Sequence, residues 1–184
     1  MFVNQTNIDQ PLLLTKNVND KADQETCSCS VIFDRLETSH SLSVQFFIKA
    51  GAKHETLEHT GIAHFLEHMA FKGSQNYNAR QQVEMVENVG GSLNAWTSSE
   101  LTCYHARLLN SDSMIAFDLL ADLVAAPLLL NDDIDQERKI IHQEINDAKD
   151  QPDDLLYQLY LKAAFGDQIL SQPSLGTVES LDRI

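Results

Sequence analysis

Apolar residues recur with two different periods along this chain, and each change of period marks an element. Between residues 42 and 50, Leu42, Val44, Phe46 and Ile48 alternate with Ser43, Gln45, Phe47 and Lys49, the period of two expected of a half-buried strand. Gly51 ends it. A polar loop over 52–59 leads into residues 61–73, where Ile62, Phe65, Leu66 and Met69 fall at helical spacing, with Thr60 as the N-cap. Asn78 followed by Gln81 forms a capping box for a second helix, lined on one side by Val83, Val86 and Val89 and closed by Gly90. Residues 93–98 and 101–109 predict two strands, joined as a hairpin through Ser99-Glu100.

Three more helices follow. The first covers 114–126, capped by Asn110 or Ser111 and stopped by Pro127. The second covers about 132–149, with Ile134, Ile141, Ile145 and Ala148 at core spacing. The third covers 153–165, with Pro152 in its first turn and Gly166 behind it. Residues 175–184 predict an irregular tail. At the other end, residues 1–28 predict an irregular arm with an apolar patch at Pro11 to Leu14, and 29–36 a faint strand. Strands and helices are mixed and the hairpin is antiparallel, so the expected class is α+β: a mostly antiparallel sheet with helices packed on one face.

Composition narrows the function. The 184 residues carry 13 Lys+Arg against 27 Asp+Glu, a formal charge of −14. Phosphate recognition needs clustered basic residues, so nucleic acid is excluded as a partner. The first residues have neither the basic and apolar regions of a signal peptide nor the Arg-rich pattern of a transit peptide, and no run approaches the ~18 apolar residues of a membrane span. The expectation is a cytoplasmic protein with no membrane partner. Three cysteines, Cys27, Cys29 and Cys103, make no disulfide framework, and Cys27-Ser-Cys29 lacks further ligands at metal spacing.

The chemistry lies in residues 61–73, which contain His64, Glu67 and His68 in the pattern H-x-x-E-H. On a helix these three project from one side. Imidazoles at i and i+4 can grip one Zn²⁺, and a carboxylate beside the second can reach a water on that metal. The pattern inverts the H-E-x-x-H zinc-protease signature. Catalytic zinc usually takes three protein ligands. Glu137 and Glu144, seven residues apart on one helix face, offer the third. One of them could complete the sphere while the other hydrogen-bonds a ligand histidine; taken alone, that segment also reads as a solvated charged face.

Three blocks, G-I-A-H-F-L-E-H-M-A-F-K-G, G-G-S-L-N-A-W-T-S-S-E-L-T-C-Y and E-R-K-I-I-H-Q-E-I, stand in this order over roughly residues 42–184. Together they resemble the pitrilysin-type zinc metallopeptidases, the branch of the mitochondrial processing peptidase β-subunit and its bacterial relatives. The resemblance implies zinc held by His64, His68 and Glu144, Glu67 as general base, and Glu137 hydrogen-bonded behind the ligands. It also implies an edge strand at Asn94 and Ala95 whose backbone pairs with an extended peptide or unfolded protein substrate. The family's Asn-Gly near the first strand is not found among residues 11–30. Family members pair homologous half-units, as homodimers or heterodimers, around a chamber. The resemblance therefore implies that residues 1–184 form an N-terminal catalytic zinc-binding domain, an incomplete half-unit without the family's C-terminal domain. The alternative is a fragment or partner subunit that binds zinc and peptide without turnover.

Overall fold

In the computed structural model, which describes residues 12–19 and 26–184, the alternation after Ser41 forms a three-stranded antiparallel sheet. Strand β3 (Ser41–Ile48) pairs with β5 (Thr102–Leu109), and β5 pairs with β4 (Ser92–Thr97), giving the order β3-β5-β4. The β4–β5 hairpin is the one predicted. Its turn is tied by Ser98 N–H donating to Leu101 O at 2.9 Å and by the Ser98 hydroxyl donating to the same oxygen. This sheet belongs to one of two compact units, Ser41–Ile184; the other is Met1–His40. Within the latter, β1 (Leu12–Asn19) and β2 (Thr26–Phe33) pair antiparallel, from Leu12 opposite Phe33 to Asn19 opposite Thr26. The arm expected over 1–28 thus contains a regular strand, β1, and the start of β2, while the faint strand expected over 29–36 is present as the rest of β2 and ends at Phe33. The rest of the arm, residues 1–11 and 20–25, lies outside the described residues.

One face of the three-stranded sheet is covered by helices, as expected. Val44, Tyr104, Ala106 and Leu108 pack there against Val86 of α2 (Ala79–Glu87) and Ala116, Leu119, Leu120 and Leu123 of α3 (Ser113–Ala125). Each fully buried leucine contributes about 2 kcal/mol. On the opposite face Phe47 and Trp96 both stand opposite Cys103, and their rings meet edge-to-face at 6.4 Å over the buried thiol. The capping box of Asn78 and Gln81 forms as read, although Val83 faces solvent.

A second apolar cluster joins α1 (Ile62–Ala70) to α4 (Asn131–Asp150). Phe65 and Met69 pack on Ile141 and Ile145, with Leu181 closing the group. Leu66, expected on that face, is exposed, and Glu67 is buried in its stead. Helix α5 (Pro152–Phe165) ends at Gly166 as predicted. The tail is not irregular: Thr177 and Ser180 form a capping box for a one-turn helix, α6 (Val178–Leu181). The Ser180 hydroxyl donates to Thr60 O at 2.7 Å and Arg138 Nε donates to Leu181 O, which ties α6 to α1 and α4.

Thr60 does not cap α1. Gly61 holds the cap position in a left-handed conformation, φ 90°. The acceptor is Glu55, whose carboxylate takes the N–H of Gly61 and of Ala63 at 2.8 Å each; burial pushes that carboxyl above its usual range despite these bonds. Gly61 also abuts Gly176, itself at φ 78°. A Cβ on Gly61 would stand 2.7 Å from Gly176 Cα and from Leu175 O. Gly61→Ala should therefore combine backbone strain with a backbone clash and cost about 2 kcal/mol or more. Thermal unfolding should show a Tm lowered by roughly 4–8 °C; an unchanged Tm would show that the two segments are not pressed together.

Candidate metal centre

Two helices of different character build this site. On α1 the polar side carries His64, Glu67 and His68, while Phe65 and Met69 face α4. On α4 the inward stripe runs through Glu137, Ile141 and Ile145, with Glu144 at its border. Packing of Phe65 and Met69 on Ile141 and Ile145 therefore brings both carboxylates to the histidines. His64 Nε2 lies 3.8 Å from Glu144 Oε2, and His68 Nε2 lies 3.6 Å from the same oxygen. The two imidazoles meet edge-on with centroids 4.6 Å apart.

The donor set suits zinc. All three ligand atoms fall within 4.8 Å of one another. A tetrahedral ion with bonds of about 2.0–2.2 Å spaces its donors roughly 3.3–3.5 Å apart, close to the two separations between Glu144 and the histidines. Burial, with His68 adding to it, pulls the His64 imidazole down from its ordinary 6.5 to about 4. A neutral ring is the form that ligates a metal. His64 Nδ1 is buried with no hydrogen-bond partner.

Glu137 sits behind His68. It is almost fully buried, and its Oε2 lies 3.0 Å from His68 Nδ1, which leaves Nε2 to face the ligand cluster. Its other oxygen, Oε1, forms an ion pair with Lys72 Nζ. Glu67 is buried beside the histidines. Burial raises its pKa, and the Thr97 hydroxyl, donating to Oε2 at 2.5 Å, acts against that rise. The Thr102 hydroxyl is spent on Ala50 O at 2.9 Å, which leaves the Thr97 proton for Glu67. Tyr104, buried under the same carboxyl, is pushed up to about 12 by burial and by the Glu67 charge.

Asn94 and Ala95 lie on β4, which among the described residues pairs on one side only. Pairing alternates from the Ser98–Leu101 hydrogen bond, so Asn94 bonds to β5 through its main chain while Ala95 turns its N–H and C=O to the open edge. The Asn94 side chain folds over to accept the Ala95 N–H at 2.8 Å. The structure thus brings His64, His68, Glu144, Glu67 and Glu137 together and hangs the Asn94–Ala95 edge beside them through Thr97. Sequence reasoning missed Thr97, Lys72 and Glu55. Lys72 had a signal: it stands four residues after His68, the same spacing that relates His64 to His68.

Comparison with known proteins bears on the family and the fold. Residues 30–178 match the family model described as insulinase, peptidase family M16. The chain is 38% identical over 151 residues to a Bacillus subtilis (strain 168) protein named uncharacterized zinc protease YmxG, covering 82% of this chain and 37% of that one. It therefore spans little more than a third of that relative. Among solved structures, a protease from Helicobacter pylori superposes with a TM-score of 0.84 at 23% identity, over 95% of this chain and 41% of that one. Pitrilysin superposes with a TM-score of 0.74 at 27% identity, over 94% and 19%.

The His64 shift makes a prediction about pH. Between pH 6.5 and about 4 the unfolded chain holds a proton on this ring that the folded metal-free chain does not. Stability must then fall as pH falls through that window, by about 3 kcal/mol from this group. Glu67, shifted up, acts in the opposite sense. Urea unfolding of the metal-free chain at pH 7 and pH 4.5 should show His64→Gln losing less stability than wild type over the interval. Equal losses would mean that His64 is not held neutral by the fold.

Proposed function

The chain belongs to the insulinase family, peptidase family M16, and on that premise we propose that it carries the zinc-binding and water-activating part of a metalloendopeptidase acting on extended peptides or unfolded proteins. The observation that carries this reading is the convergence of His64 Nε2, His68 Nε2 and Glu144 Oε2 beside a buried Glu67.

His64, His68 and Glu144 would hold Zn²⁺, with Glu137 orienting His68 from behind. When bound, the ion supplies Lewis acidity, bringing the pKa of water to about 7 and polarising a peptide carbonyl. Glu67 has one oxygen engaged by Thr97, so its Oε1 is the atom that takes the proton of the attacking water and returns it to the leaving amine. Its raised pKa moves this carboxylate toward the range where a base works near neutral pH. At the β4 edge a peptide strand would pair with the outward main chain of Ala95, displacing the Asn94 side chain that holds that N–H in its absence. Main-chain pairing of this kind gives affinity with little side-chain preference. A second homologous half-unit, identical or different, is the partner that would enclose the substrate.

A second reading, zinc and peptide binding without turnover, is favoured for these 184 residues by coverage: they span 37% of the Bacillus relative. Metal content tests the zinc site that the two readings share, and turnover separates them. Elemental analysis should find about one zinc per chain in wild type and in Glu67→Gln, and much less in Glu144→Gln. Zinc that stays equally bound in Glu144→Gln would remove Glu144 from the ligand set. Assembled with a partner half-unit into a form that cleaves peptides, Glu67→Gln should lower kcat by about 10²–10⁴-fold with zinc retained; wild-type turnover in that variant would end the general-base assignment.

A further inference from the structure

Lys72 follows α1 directly. Its backbone N–H still donates to Met69 O at 3.1 Å, and its side chain turns back toward α4. There the ammonium meets Glu137 Oε1. The two carboxylate oxygens of Glu137 are thus divided between two tasks: Oε2 accepts from His68 Nδ1 and Oε1 faces Lys72. Glu137 is 2% exposed, and Oε1 receives no directed hydrogen bond, so Lys72 meets it as an ion pair. Leaving such a carboxylate without a counter-charge costs several kcal/mol.

Charge accounting gives the reason. Three carboxylates, Glu67, Glu137 and Glu144, converge on one place. A dication offsets two of them. Among the described residues, Lys72 is the only lysine or arginine in an ion pair with any of the three; the remaining Lys and Arg pairs, such as Lys53 with Glu100, lie elsewhere.

We infer that Lys72 is a positioning residue for the metal centre: by pairing with Glu137 Oε1 it fixes that carboxylate so that Oε2 holds His68 Nδ1 and His68 Nε2 faces the metal. Lys72 touches neither metal nor substrate and acts through Glu137 and His68. The inference rests on the zinc reading above, and its test keeps the two apart.

The test is zinc affinity, measured by competition with a chromophoric chelator on the 184-residue chain, beside thermal unfolding of the metal-free protein. Lys72→Met should bind zinc about 10–100-fold more weakly, the loss expected when a group behind a ligand is removed. Lys72→Arg, which keeps the charge, should recover most of it, and Lys53→Met should leave affinity unchanged. A general loss of structure would not be rescued by charge alone. If Lys72→Met does not fold, Lys72→Gln, which keeps the stem, takes its place with the same expectation. Wild-type affinity in the Met or Gln variant, or weakening in the Arg variant equal to theirs, would overturn the inference while leaving the zinc site intact. Failure of wild type itself to bind zinc would overturn the zinc reading, and this inference with it.

Discussion

Phe65 and Met69 of α1 meet Ile141 and Ile145 of α4, with Leu181 sealing the end, and this contact sets the distance between the two helices that bear the candidate ligands. Side chains of this size stabilise by about 1.5–3 kcal/mol each when fully buried. The polar residues at issue do the opposite: a buried carboxylate and a neutralised imidazole each weaken the fold. Apolar packing between the two helices therefore holds the polar groups beside it in place. Helix period makes the arrangement possible, because at about 100° per residue positions 64, 67 and 68 fall on one side of α1 and positions 65 and 69 on another.

Compensation by neighbours explains how so dense a polar cluster survives. Thr97 reaches Glu67 from the sheet, Lys72 reaches Glu137 from the turn after α1, and Glu55 satisfies the first N–H groups of α1. Each comes from a different part of the chain. The loop before α1, the turn after it, strand β4 and the tail helix α6 all close on α1, and the facing glycines 61 and 176 permit the closest of these approaches. Removing any one neighbour would leave a buried polar group exposed to the full cost of desolvation.

The sheet contributes an edge as well as a wall. Its helix-facing side is core, and β4 at its margin carries both Thr97, bound to Glu67, and Ala95, whose main chain faces outward. A peptide added at that edge would lie near the buried Glu67 carboxylate that Thr97 holds. No helix among the described residues is long and apolar enough to cross a membrane.

Most elements of the residue 41–184 unit were legible in the sequence because their signals are local. Alternation over 42–48, the Asn78–Gln81 box, Pro127, Pro152 and Gly166 each act within a few residues of themselves, and the strands and helices they predict are present. The H-x-x-E-H and Glu137–Glu144 spacings belong to the same category, since both lie within one helix. What sequence could not supply was long-range. The Thr60 cap failed because Glu55, six residues before Gly61, makes the better acceptor. The tail looked irregular because α6 is held by Thr60 and Arg138 rather than by its own four residues. β1 read as an irregular arm and β2 only as a faint strand, since backbone pairing leaves no pattern when neither face is uniformly apolar. That one oxygen of Glu144 lies 3.8 Å from His64 and 3.6 Å from His68, and that Thr97 and Lys72 reach Glu67 and Glu137 beside them, was decided by how α1, α4 and β4 pack, because helix period fixes directions within an element and only burial between elements fixes the distances across them.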